Sequence, residues 1–255
     1  MAVRQALHNL FGLKLAPKPA AVPRDLSVDI EGRCIPIEIK TSPRARRVTL
    51  RADATRGVIR LSLPPRASVA KALAMIDTHR SWLAARVAGW PRASIFVAGG
   101  SFELEGEHVT IDWSPTRPRS VVHDGAALRL GGPEDGLPGR IERYLRGRAR
   151  TVLTAETRAH ADRIGKRVAA VTVRDTASRW GSCSTTARIA YSWRLILAPP
   201  EVRRYVVAHE VAHLAHMDHG PGFWRVAAEL YDGDIDAARR WLRRHGAALH
   251  WVGRG

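Results

Sequence analysis

Short alternating runs dominate the first half of the chain. Ile35, Ile37 and Ile39 point one way between Pro36, Glu38 and Lys40; Val48 and Leu50 keep that period, and Val58 to Leu63 resume it after the Arg56-Gly57 turn. These predict half-buried hairpins. The period changes over Ser68 to Ala88, where Val69, Leu73, Ile76, Leu83 and Val87 share one side of a helix that stops at Gly89 and Pro91. Alternation returns at 102–104, 109–111, 121–122 and 128–130, separated by Gly and Pro, until Gly131-Gly132-Pro133 marks a break.

Beyond the break the pattern is mostly helical. One long Arg-rich helix is predicted from Leu137 to Ile164, with strands at Val168 to Val173 and Ile189 to Leu197 joined by a hairpin bearing Ser178-Arg179-Trp180-Gly181-Ser182-Cys183-Ser184. Pro199-Pro200-Glu201 suits a helix start, with Pro in the first turn and an acid at the positive end of the dipole. From there Val202, Val206, His209, His213 and His216 fall on a single stripe. A last helix, Ile235 to His245, collects cations in its final turn before Gly246. The expected class is α+β, with a flexible tail at 1–24, an antiparallel β-rich domain containing one helix at 25–134, and a compact helical domain at 135–255.

Composition narrows the class. The 255 residues are 45% hydrophobic and 25% charged, which excludes disorder as the main state. The net charge of +17 is carried almost wholly by Arg, since only Lys14, Lys18, Lys40, Lys71 and Lys166 are lysines. That balance permits contact with nucleic acid, but Arg-rich coding could produce it unselected, so nucleic acid is kept as a less favoured partner. Cys34 and Cys183 are too few for a disulfide scaffold. The N-terminus lacks the apolar core of a signal peptide, and no run of about 18 apolar residues occurs. The expected location is cytoplasmic, with no membrane partner.

Chemistry concentrates at His209-Glu210-Val211-Ala212-His213, part of a stretch to His219 that holds four of the eleven histidines. Imidazoles at i and i+4 stack on one helix face with Cβ atoms about 5–6 Å apart, close enough to share a Zn²⁺. A Glu after the first His lies beside the metal, where it can take a proton from a zinc-bound water. Chance would place such an HExxH pattern in a chain of this composition about 0.02 times. Histidines stacked on an apolar stripe also need polar partners, which a metal supplies.

Around this core, Arg179-Trp180-Gly181-Ser182-Cys183, Tyr191-Ser192-Trp193-Arg194-Leu195-Ile196, the Pro-Pro-Glu helix, His219-Gly220-Pro221-Gly222-Phe223-Trp224 and Trp241-Leu242-Arg243-Arg244-His245-Gly246 follow in an order that resembles the YgjP-like metallopeptidase family. Ser192 stands where that pattern suggests Asn, and His216 is an extra imidazole. The resemblance implies a zincin fold with an N-terminal β-rich extension, acting on protein or peptide substrates; the related SprT-type zincins act on proteins attached to DNA. The expected mechanism is zinc-dependent peptide hydrolysis, with His209, His213 and His219 holding Zn²⁺ and Glu210 as general base and then acid. His219 is preferred to His216 because on a continuous helix His216 rises about 4.5 Å past His213, whereas a helix ending at Met217 or Asp218 before Gly220-Pro221 can fold His219 back. The rival is a nucleic-acid-associated module whose structural zinc is closed by His216. Trp180 is either a cleft wall beside a peptide-binding edge strand or core filling. Arg179, Tyr191 and His245 are candidate oxyanion donors, and Asp218, Asp232 and Asp234 candidate partners for a ligand imidazole.

Overall fold

The structure, a computed structural model, describes residues 26–254; the tail expected at 1–24 lies outside the described residues. The fold is α+β and divides into two compact units. Of the described residues, one unit takes 26–53 together with Gly57–Ala88, and the other takes Ala54–Arg56 and 89–254.

The first unit is a four-stranded sheet with two helices. Strands β1 (Ser27–Ile30), β2 (Arg33–Thr41), β3 (Thr49–Asp53) and β4 (Val58–Leu63) lie in the order β1-β2-β4-β3. The β1–β2 hairpin turns on Glu31 and Gly32, both left-handed at φ 52° and 74°, the geometry whose twist matches a tight hairpin. The alternation read from the sequence sends Ile35, Ile59, Leu61 and Leu63 inward. Two details differ from expectation. β2 pairs parallel to β4, so the sheet is mixed. The single helix expected over 68–88 is two, α1 (Val69–Thr78), N-capped by the Ser68 hydroxyl, and α2 (Arg80–Ala88), separated at His79.

The second unit begins with another mixed sheet, β5 (Ser101–Leu104), β6 (Glu107–Trp113), β7 (Val122–His123) and β8 (Ala127–Leu130), ordered β5-β6-β8-β7 with β6 and β8 parallel. Helix α3 (Leu137–Arg163) follows. Its buried positions, Leu137, Ile141, Leu145, Ala149, Leu153, Thr157 and Ala161, recur every fourth residue. Each step of four advances about 40° around the axis, so the apolar stripe winds and serves several neighbours in turn. The two compact units part near 89, and Leu128 and Leu130 of β8 share one core with Leu137 and Ile141 of α3. No Gly-Gly-Pro break can divide elements that bury the same surface.

A three-stranded sheet positions the chemistry. Strands β9 (Ala170–Arg174), β10 (Gly181–Cys183) and β11 (Arg188–Ser192) are ordered β10-β11-β9, with β9 and β11 parallel rather than joined as a hairpin, and with β10 at the edge. The strand expected to reach Leu197 ends at Ser192, and Trp193–Leu197 form a 3₁₀ turn. Its apolar residues are all buried, so this run had no alternation to read. Helices α4 (Pro200–Ala212), α5 (Pro221–Leu230) and α6 (Ile235–Leu249) complete the unit. No helix among the described residues is long and apolar enough to cross a membrane.

Candidate metal centre

Helix α4 carries His209 in its last turn and ends at Ala212, with His213 as the C-terminal cap. The helix therefore stops five residues before the earlier of the two ends expected from the sequence, and the stripe breaks before His216. A tight turn follows, in which the Ala215 and His216 backbone N–H groups both donate to the Ala212 carbonyl. That turn brings His219 back across the helix end. One nitrogen from each of His209, His213 and His219 lies within 4.8 Å of the others, and Nε2 of His219 is 3.2 Å from Nε2 of His209. His216 is not in this group. Its carbonyl is 3.0 Å from Nδ1 of His213 and accepts the N–H there, which fixes the tautomer and leaves Nε2 with its lone pair toward the cluster. Its ring rests against Gly222, where a Cβ would come within 2.9 Å.

Phe223 backs all three imidazoles, with ring centroids 4.5–4.9 Å away, and is itself fully buried. Burial, reinforced by the neighbouring His213, His219 and Arg239, pushes the His209 imidazole down to about 4, so it is neutral near pH 7. The His213 ring is lowered in the same direction, again mainly by burial. Three converging imidazoles, two held in the neutral form, are a donor set suited to a borderline-soft divalent ion such as Zn²⁺. Nδ1 of His209 is buried without a partner, so its Nε2 alone has a use in view, toward the cluster.

Glu210 points away from the histidine stripe toward strand β10. It is 6% exposed, and the Cys183 backbone N–H donates to its carboxylate. Burial pushes this carboxyl up to about 7, against the pull of Arg179 and the Cys183 N–H. Gly181 lets the strand approach: a Cβ there would sit 2.5 Å from Cγ of Glu210. The Cys183 thiol is raised to about 11 by burial and by the Glu210 charge, which makes it a poor ligand or nucleophile.

The other sequence candidates separate. Arg179 lines the cleft beside Glu210. Tyr191 is buried, with its hydroxyl 3.0 Å from that of Thr157, and His245 stacks on Trp241 along a different cavity. Asp218 accepts the Gly220 N–H and Asp234 caps α6, and it is the His216 backbone carbonyl that holds the His213 imidazole. Trp180 takes both readings at once: it lines the cleft while its ring packs 5.1 Å from that of His250. Sequence reasoning missed Tyr205, Arg239, Leu242 and Arg243 as cleft residues. Tyr205 could have been found four residues before His209, and Arg239 and Arg243 by their own i,i+4 spacing on α6.

Three histidine nitrogens that could hold a metal ion thus converge near a buried carboxylate. The family described as YgjP-like, metallopeptidase domain matches residues 46–245, most of the chain, and the chain belongs to that family. No curated protein and no solved structure shows a significant match.

Proposed function

We propose that the protein is a zinc-dependent endopeptidase. The observation that carries this reading is the joining of three imidazole nitrogens within 4.8 Å to a buried Glu210 one residue along the same helix. His209, His213 and His219 are the proposed ligands, and Phe223 keeps their rings from collapsing into the core. A Zn²⁺ held by these residues would supply Lewis acidity toward a water and the scissile carbonyl. Glu210, with a carboxyl near neutrality, is poised to accept a proton from the attacking water and return it to the leaving amine. The Cys183 N–H holds that carboxylate in one orientation. An extended peptide would lie beside the edge strand β10, with Trp180 as a wall. Arg179 is the remaining candidate for an oxyanion donor. His216 as a closing fourth ligand, which a structural-zinc module needs, has no support in the geometry, because its carbonyl rather than its ring serves the cluster.

The test is Glu210→Gln in the full-length protein. The variant is expected to keep about one zinc per chain and its melting temperature while losing peptide cleavage, since the carboxylate moves protons and is not a ligand. Undiminished turnover of a peptide library by the variant would refute this role.

A further inference from the structure

The cleft beside Glu210 has a volume of about 420 Å³ and is walled by α4, α6 and the segment entering β10. Trp180, Tyr205, Val206 and Leu242 give it apolar sides, while Arg179, Arg239 and Arg243 give it three guanidinium groups. Among the described residues that line it, Glu210 is the only carboxylate. Another cavity, lined by Arg119, Arg140 and Arg143, shares this excess of guanidinium over carboxylate; this cleft differs in adjoining Glu210. Arg117, Arg146, Arg194 and Arg203 each hold a carboxylate at 2.9 Å or closer. Arg179 and Arg243 hold none among the described residues, and Arg239 reaches Asp236 only at 3.7 Å while lying over the Trp224 ring.

A guanidinium fork matches a carboxylate in two parallel hydrogen bonds, and a site with apolar walls strengthens that pairing. Nucleic acid fits less well. A strand backbone asks for cations spaced along a groove, whereas these three gather at one cleft next to the proposed proton-transfer group. We infer that the cleft selects peptides bearing an Asp or Glu side chain close to the bond to be cut, gripped by Arg179, Arg239 and Arg243. The inference rests on the peptidase reading and supplies its substrate class.

The test uses zinc-loaded full-length Glu210→Gln protein and dye-labelled decapeptides that differ only in a central Glu, Gln or Lys, with affinity read by fluorescence anisotropy. The Glu peptide is expected to bind about tenfold more tightly than the Gln peptide, the size of one charge-assisted pair, and the Lys peptide weakest. Adding Arg179→Glu or Arg243→Glu should abolish that advantage. Arg158→Glu, an exposed site on α3 that makes the same change in net charge, should preserve it. Equal affinity for the Glu and Gln peptides, or an equal loss in Arg158→Glu, would overturn the inference. So would an oligothymidylate that binds more tightly than the Glu peptide and loses binding in Arg243→Glu alone, which assigns the cleft to nucleic acid. The Glu preference in binding, with no cleavage by wild type, would sustain the cleft's selectivity and sink the peptidase reading; cleavage without the preference would do the reverse.

Discussion

Gly181→Ala probes how closely Glu210 is held. A Cβ at position 181 would lie 2.5 Å from Cγ, 2.6 Å from Oε1 and 2.7 Å from Cδ of Glu210. Comfortable carbon contacts are about 3.5–4.0 Å, so roughly 1 Å of displacement must be found. Gly181 is in strand β10 with no left-handed φ, so alanine suits the backbone and the whole penalty falls on the contact. The flexible side chain gives way before the strand, which is tied to β11 through the Gly181–Tyr191 and Ser182–Ala190 pairs. Moving the carboxylate forfeits the Cys183 N–H bond, worth ~1.5–3 kcal/mol for a charged acceptor, and about 1 Å of misplacement commonly costs 10²-fold in rate. The expected result is a fall of about 100-fold in kcat/KM, equivalent to about 2.7 kcal/mol. Zinc content should stay at the wild-type level, because the atoms that crowd position 181 belong to Glu210 and not to the histidines. The measurements are steady-state cleavage of a peptide substrate, metal analysis and a thermal melt on the same preparation. Cleavage within threefold of wild type, or a loss accompanied by equal loss of zinc, would refute the argument that Gly181 acts through Glu210.

Two further outcomes follow from the packing. His219→Ala should weaken zinc binding by more than the 10–100-fold that loss of a supporting partner costs, whereas His216→Ala should change it little because the His216 contribution is its carbonyl; competition against a zinc chelator distinguishes them, and equal losses would undo the ligand assignment. Arg203 is 5% exposed and bonds both oxygens of Glu156 at 3.1 and 3.2 Å and Glu105 at 3.0 Å. Arg203→Ala strands Glu156 and leaves Glu105 with Arg148 alone, and should cost about 3 kcal/mol, a drop in Tm of roughly 6–12 °C by calorimetry; an unchanged Tm would show that the network is neutral.

The period of the apolar positions was enough to place most helices and strands, because a side chain on a two- or 3.6-residue repeat must face the core or water wherever the element ends up. It was also enough to bring His209 and His213 together, since their spacing fixes their separation on any α-helix. Other features depend on where distant segments meet. Parallel pairing of β2 with β4 and of β9 with β11 leaves no local mark, as a strand reads the same whichever direction its neighbour runs. The Gly131-Gly132-Pro133 break signals a turn but not what its flanks bury, and β8 and α3 on either side of it share one core. The early end of α4 escaped a continuous stripe reading because periodicity does not register a helix cap. Only the folded chain could supply the carbonyl of His216 as the partner of His213, the approach of Gly181 to Glu210, and the gathering of Arg179 from the β10 lead-in with Arg239 and Arg243 from α6. Those contacts join residues about 30 to 60 positions apart or hinge on one backbone atom, and neither leaves a pattern along the sequence.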